Sequence, residues 1–289
     1  MPPSTSSRRE LIVGAVAYDP KVVTIWDGFQ RWFAEHDLPI DYVLFTNYEK
    51  QVLAQFGGAV DLAWNSPLAW IESLRLAKSP AGRTAPRAVL MRDSDRDLTS
   101  VLVVRASSPA RAAADLRGKR IGFGAKDSPQ ATLIPQLLLA DAGLEPRRDY
   151  QAVEHDVLLG KHGDHIGGER DAARALLDGR VDAAAMLDAN HLAFSRDGTL
   201  APGATRVIAQ TPPYDHCNFT VVDERAKEAV ERFVSLCLGM SYENPAVRPL
   251  FDLEGLKAWK PGRTSGYAQL DRAVDRFGFL QPWLAAAAG

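Results

Sequence analysis

An α/β fold of two lobes with a cleft between them is what this sequence predicts, on three observations. Strand-like and helix-like segments alternate along most of the chain, which favours mostly parallel sheets. The 289 residues are long for one core and short for three, so two lobes of roughly 100 to 150 residues are expected. A short sequence also repeats: Gly58-Ala59-Val60-Asp61-Leu62-Ala63 returns as Gly179-Arg180-Val181-Asp182-Ala183-Ala184, each copy following a helix and starting a strand. The glycine of each copy suits a left-handed helix end.

Taken in order, 11–17 reads as a buried strand, 22–35 as a helix with Val23, Trp26, Phe29, Trp32 and Phe33 on one face, and 40–45 as a strand. A helix at 48–56 stops at Gly57-Gly58 and a strand follows at 60–64. Two strands, 87–91 and 100–105, precede a short helix at 109–116 and a strand at 120–124, where a second α/β unit begins. It continues through the helix 129–142, strand 150–153, helix 170–177 and strand 181–187. Strands at 206–209 and 219–222 and helices at 224–239, 245–250 and 267–277 complete the chain.

The 34 Lys and Arg against 36 Asp and Glu leave a net charge of −2 with both signs interspersed, unlike a nucleic-acid footprint. No apolar run approaches the roughly 20 residues of a membrane helix, so no transmembrane segment is expected. Residues 1–10 are polar and lack the apolar stretch of about 7 to 15 residues that a secretory leader needs. As the sequence stands, a cytoplasmic location is expected, or a periplasmic one if Met1 replaces a removed leader. Cys217 and Cys237, the only cysteines, are too few for a disulfide framework.

Asn65-Ser66-Pro67 and Asp127-Ser128-Pro129 each follow a strand and open an apolar helix, with Ser as cap and Pro in the first helical position. A helix start carries free N–H groups and about half a positive charge, and ligands of open α/β sheets bind at the carboxyl ends of strands. Two such starts facing across a cleft would clamp an anionic or strongly polar ligand, with Ser66 and Ser128 as leading contacts and Asn65 and Gln130 beside them. Serine before proline also simply starts a helix. Tyr18 and Trp64, at strand ends, are expected to wall the ligand's apolar body, Trp26 and Trp70 to fill the core. Asp188, just past the strand 181–187, joins the ligand contacts.

Five of the six histidines lie between His155 and His216. Glu154-His155-Asp156 and His162-Gly163-Asp164-His165 hold metal-ligand residue types without the tight spacing of a zinc site, and glycines at 160, 163, 167 and 168 favour a solvated loop over the cleft. No metal and no cofactor are expected. Asp215-His216-Cys217-Asn218 sets a thiol beside an imidazole, yet neighbours on a strand face opposite ways, so Cys217 is expected to be buried and inert. Gly-x-Ser-x-Gly, Walker, dinucleotide-binding and His-Glu-x-x-His motifs are absent.

With these residues in view, the chain resembles the phosphate/phosphonate-type substrate-binding proteins of ABC transporters, which have the type 2 periplasmic-binding-protein fold. The resemblance spans most of the chain through Val60-Asp61-Leu62-Ala63-Trp64-Asn65-Ser66-Pro67-Leu68-Ala69-Trp70, Leu116-Arg117-Gly118-Lys119-Arg120-Ile121-Gly122-Phe123, the stretch 127–135, and 175–185 with its Gly-Arg-Val-Asp core. It implies two mixed, mostly parallel sheets joined by a two-crossover hinge, with lobe one formed by 1–105 and 209–289 and lobe two by 106–208. The crossovers would fall near Arg105 and Ala209. It also implies that Ser128 helps hold a phosphonate. Where the family commonly has Thr-Ser-Gly next, this chain has Pro129-Gln130-Ala131, and Asp127 adds negative charge. Where relatives often place Ser-His before Asp-Ala it has Glu169-Arg170-Asp171-Ala172, whose Arg170 suits a carboxylate or phosphoryl group.

The expected function is therefore capture, between the lobes, of a small polar, anionic solute that is phosphonate-, phosphate- or carboxylate-like, with an ABC transporter permease as partner. The alternative is a cytosolic enzyme on the same fold, of menaquinone-pathway, thiamine-pyrimidine or decarboxylase type. It would use His191, His216 or Cys217 for proton transfer or attack on a small organic acid.

Overall fold

The computed structural model describes residues 10–78, 84–164 and 167–287. The polar segment 1–9 and His165 lie outside the described residues. Strands β1 (Leu11–Val16), β2 (Ile40–Phe45), β3 (Leu62–Asn65) and β4 (Arg87–Arg92) begin a first sheet. A second sheet holds β5 (Ser100–Arg105), β6 (Arg120–Phe123), β7 (Gln151–Glu154), β8 (Ala183–Leu187) and β9 (Thr205–Gln210). The chain then returns to the first sheet with β10 (Asn218–Val221) and β11 (Trp259–Pro261).

The strand orders are β11-β4-β10-β3-β1-β2 and β7-β6-β8-β5-β9. Each sheet is mixed: β1 to β3 and β6 to β8 pair parallel, while β10 and β5 enter antiparallel as the fourth strand from the β2 or β7 edge. The two orders superimpose, with β6 in the place of β1 and β8 in the place of β3.

The repeated Gly-x-Val-Asp is part of this likeness. Gly58 and Gly179 sit at φ 83° and 72°, the left-handed conformation that ends a helix. The aspartate then bonds to the neighbouring parallel strand: Asp61 accepts from the Ile12 N–H at 3.0 Å, and Asp182 from the Arg120 N–H at 2.9 Å. In each case its own N–H donates to the carbonyl of that same residue, at 2.9 and 2.7 Å. The repeat is thus a helix stop and a strand-to-strand tie in one.

Ten helices cover the sheets among the described residues: α1 (Lys21–Glu35), α2 (Tyr48–Phe56), α3 (Pro67–Ala77), α4 (Ile134–Asp141), α5 (Gly167–Leu177), α6 (Asp188–Arg196), α7 (Lys227–Gly239), α8 (Arg248–Glu254), α9 (Ala268–Phe277) and α10 (Gln281–Ala287). A π-helical turn, Pro129–Leu133, leads into α4. Helix α1 buries Ile25, Trp26, Phe29, Trp32 and Phe33 against β10 and α7, where Phe33 stacks on Phe233 at 4.6 Å. Val23, expected on that face, is exposed because it falls about 100° off the stripe. Trp26 and Trp70 are core residues, as expected.

Strands β5 and β9 pair with one another and belong to the second sheet. The chain therefore passes between sheets at 93–99, before the position expected near Arg105, and at 211–217, just past the one expected near Ala209. The position near Arg105 follows from counting β5 with the first lobe, and its ladder to β8 counts it with the second. The two passages bind each other, since Leu98 and Tyr214 exchange N–H to carbonyl bonds at 2.8 Å in both directions.

Replacing Asp61 with Ala should cost about 1–3 kcal/mol, the scale for a buried donor that loses its acceptor. Thermal denaturation checks this, and an unchanged Tm would show that the strands do not depend on this tie.

Candidate functional site

Strand ends from both sheets converge on one cleft, where the chain leaves an open cavity beside a tightly packed plug. The plug is the segment 160–164, which follows β7. It turns inward because Gly160 and Gly163 take φ of 82° and 76°, and His162 is held at 50°. Lys161 crosses to the first lobe, where its Nζ donates to the carbonyls of Ala17 at 2.6 Å and Thr46 at 2.5 Å. The Gly160 carbonyl accepts from the Tyr48 N–H at 3.0 Å, and its N–H donates to Asp127 at 2.5 Å. Tyr48 stacks on the His162 ring at 4.8 Å and donates its hydroxyl hydrogen to Asp164.

Both Ser-Pro helix starts meet this plug. Ser66 caps α3, accepting from the Ala69 N–H at 3.1 Å, and its Oγ lies 2.7 Å from Nδ1 of His162. Ser128 caps the turn that leads into α4, accepting from the Ala131 N–H at 3.2 Å. A Cβ on Gly163 would overlap the Ser128 hydroxyl and the Gln130 amide, whose Nε2 donates to the Gly163 carbonyl at 2.6 Å. Of the loop expected to be solvated, 154–159 is largely exposed, but 160–164 is a wedge between the lobes, with His162 fully inaccessible. Its charged and polar groups enter only because both lobes supply partners for them.

The open cavity, about 410 Å³, lies next to the plug. Tyr18 and Trp64 line it, as does Gln130. Asn65, Ser66, Ser128, Arg170 and Asp188 are not among its lining residues. Asn65 accepts from the Gln51 amide at 2.8 Å inside the first lobe. Arg170 is bound to Asp197 at 2.6 Å and Thr199 at 2.5 Å, with its guanidinium over the Phe194 ring. Asp188 gives its N–H to the Thr99 carbonyl at the start of α6, while its neighbours Leu187, Ala189 and Asn190 face the cavity.

None of the charged lining was expected from the sequence: Lys21, Arg92, Asp95, Asp164, Asp252 and Glu254. Arg92 and Lys21 could have been flagged, since Arg92 ends β4 and Lys21 begins the helix after β1. Glu254 arrives from α8 with no local signal. Arg92 is heavily engaged. It donates to both Asp95 oxygens at 2.6 and 2.8 Å and to the Glu254 carbonyl and carboxylate at 2.8 and 3.2 Å, and it lies over the Trp64 ring. Burial opposes the charge on Asp95, but Arg92 and His216 hold its carboxyl down at about 2. Burial pushes the Asp164 and Glu254 carboxyls up, with Arg92 opposing in both cases.

A profile of the family described as "ABC transporter, phosphonate, periplasmic substrate-binding protein" matches residues 14–267. The chain belongs to that family. Solved structures agree with the fold. PhnD1 of Prochlorococcus marinus, in complex with methylphosphonate, is 17% identical with a TM-score of 0.68, over 93% of this chain and 98% of that one. A Xanthomonas citri protein bound to ATP is 16% identical with a TM-score of 0.70, again over 93% and 98%. The periplasmic aliphatic sulphonate binding protein SsuA of Escherichia coli is 18% identical with a TM-score of 0.59, over 96% and 94%. Membership in this phosphonate-type family implies a small-molecule ligand, a membrane permease as partner, and work outside the cytoplasm. No helix among the described residues is long and apolar enough to cross a membrane.

Neither the family nor the geometry supports the enzyme alternative. His191 bonds Thr205 at 3.1 Å and does not line the cavity of this binding protein. His216 and Cys217 are in contact, Nδ1 to Sγ 3.0 Å, because they precede β10 and escape the strand alternation expected to separate them. Asp95, however, approaches the same Nδ1 at 3.4 Å, while Nε2 faces the side-chain amide oxygen (Oε1) of Gln130 at 3.4 Å. A relay through an imidazole base needs the nucleophile and the orienting carboxylate on opposite ring nitrogens. Burial, with Asp164 and Asp95 adding to it, pushes the Cys217 thiol well up, away from the thiolate that a nucleophile needs.

At the plug, burial lifts the Glu72 carboxyl to about 8. Burial also opposes a charge on His162, but Glu72, Glu49 and Asp127 outweigh it and raise the imidazole to about 9.

Gly163→Val should expel the plug, because its side chain overlaps Ser128 and Gln130 at a backbone angle that itself costs a β-branched residue about 1–3 kcal/mol. Hydrogen exchange reads this directly: amides at 158–164 should exchange faster than in wild type, and unchanged protection would mean the wedge is not held by these contacts.

Proposed function

We propose that this protein captures an acidic organic solute that also carries a hydrogen-bond-donating or cationic group, and passes it to its permease. The lobes would close on the solute by turning about the passages 93–99 and 211–217, as two-lobed receptors do. The observation that carries the solute class is the cavity's charge. The guanidinium of Arg92 is taken by Asp95 and Glu254, and the carboxylates of Asp164 and Glu254 remain on the wall. A bare oxyanion would meet them with no free arginine to offset the repulsion, whereas an ammonium or amide group on the solute would answer them.

An acidic group has its own place. Helix α6 has no side chain capping its start, and Leu187, Ala189 and Asn190 of that first turn border the cavity. The Leu187 and Asp188 N–H groups are taken by the Glu169 carboxylate and the Thr99 carbonyl, so it is the helix dipole and the N–H groups of the residues that follow that would favour an anion there. Lys21, on the cavity wall, adds positive charge. Tyr18 and Trp64 would cover the apolar part of the solute, and Gln130 would contact it while holding Gly163. In this reading Asn65, Ser66 and Ser128 shape the plug, Arg170 and Asp188 the second lobe, and none of the five touches the solute. The protein would act in the periplasm or an equivalent extracytoplasmic space, as its family does.

Titration calorimetry with 2-aminoethylphosphonate, methylphosphonate and ethanesulfonate tests the solute class. The amino compound should bind about ten- to a hundredfold tighter than methylphosphonate, the value of one charge-assisted hydrogen bond, and Asp164→Asn should erase most of that margin. Equal affinity of the two phosphonates would remove the requirement for a donor group.

A further inference from the structure

Beside the solute cavity, and separate from its lining, three side chains aim polar atoms at one another with nothing between them. Glu49 near the start of α2, Glu72 on α3 and His162 of the plug bring one ligand-type atom each to within 4.8 Å of the others. Nε2 of His162 lies 3.7 Å from Oε1 of Glu49 and 3.8 Å from Oε1 of Glu72, too far for a hydrogen bond. His162 Nε2, Glu49 Oε2 and Glu72 Oε2 are buried and have no hydrogen-bond partner. The Glu72 and His162 side chains are 1% and 0% exposed. Buried polar atoms without partners are rare enough in folded proteins to call for a missing ligand.

We propose that Glu49, Glu72 and His162 form a site for one divalent transition-metal cation held between the two lobes. The spacing suits it: a tetrahedral ion about 2.1 Å from each donor separates neighbouring donors by about 3.4 Å, and wider angles give more. The charge suits it as well: an ion that displaces the protons of Glu72 and His162 meets two carboxylates and a neutral imidazole, whose −2 it cancels. Asp127, whose Oδ1 is also buried and unpartnered, supplies further negative charge nearby.

The histidine is arranged as a metal-bound histidine is. Nδ1 is engaged by the Ser66 hydroxyl at 2.7 Å and the ring is stacked on Tyr48, which leaves Nε2 directed at the carboxylates. One nitrogen and few carboxylates favour zinc and its neighbours over calcium or magnesium, which take six or more oxygens or keep several waters. A second cluster, Asp95, His216 and Cys217, has the ligand types too. There the Arg92 guanidinium already neutralises Asp95 and would repel a second cation.

Glu49 and Glu72 belong to first-lobe helices and His162 to the second-lobe plug, so the ion would pin the plug against the first lobe. Calorimetry of the EDTA-dialysed full chain with zinc chloride as probe tests this. One zinc per chain should bind, and Glu72→Gln and His162→Asn should each weaken it at least about tenfold, as loss of metal-site contacts does. Glu49→Gln, at a partly exposed position, serves as a third variant should a buried change prevent folding, with far-UV circular dichroism as the check. Cobalt substitution should give ligand-field bands without thiolate charge transfer. Failure of wild type to bind zinc, unchanged affinity in the variants, or a cobalt–thiolate band placing the ion at Cys217 would each overturn the proposal. Solute affinity measured with EDTA present separates failure of this site from failure of the solute reading.

Discussion

The inward turn of 160–164 is the constraint on which the cleft depends. A lysine, an imidazole and a carboxylate are driven into a space with little water, and each must find a partner there. The first lobe supplies the carbonyls of Ala17 and Thr46, the Ser66 hydroxyl and the Tyr48 hydroxyl and ring. The second supplies Asp127 and Gln130. Ser66 is bonded to the plug, and Ser128 caps its own helix start against Gly163. In the reading proposed above the solute therefore takes the neighbouring cavity, whose charge comes from Asp164 of the plug and from Arg92, Asp95 and Glu254 of the first lobe.

The passages between the lobes bear on the same cavity. Leu98 and Tyr214 hold the two passages together, and Asp95, His216 and Cys217 lie on those same short segments. Any turn of one lobe against the other therefore moves cavity-lining groups directly. Behind the passages, Leu68, Trp70 and Ile71 of α3 pack with Leu133, Ile134 and Leu137 and with Leu270 and Val274 of α9. This apolar layer joins both lobes and limits how far they can part without exposing it.

Much of the fold was legible because the periodicities that signal it are local. The βαβ openings, the apolar stripe of α1 and the Gly-x-Val-Asp repeat each depend on residues a few positions apart. Helix α6 was missed because Asp188–Arg196 buries little beyond Phe194 and carries a weak apolar pattern, and β11 because three residues at a sheet edge leave no period to read. The Ser-Pro pair was read as a correspondence between lobes, but Ser66 follows β3 while Ser128 follows β6, the counterpart of β1. The two serines do approach a common element. What lies between them is the chain itself.

By itself the sequence determined the family resemblance, the α/β alternation, the helix caps at Ser66 and Ser128 and the helix stops at Gly58 and Gly179, because these rest on contacts between near neighbours or on turns that only certain residues allow. Tertiary structure decided which polar side chains face the solute and which face one another. Gly160, Gly163 and the histidine between them permit an inward turn as readily as an outward one. Only the partners waiting on both lobes, more than 80 residues away in sequence for Ala17, Thr46 and Ser66, make the inward turn the stable one.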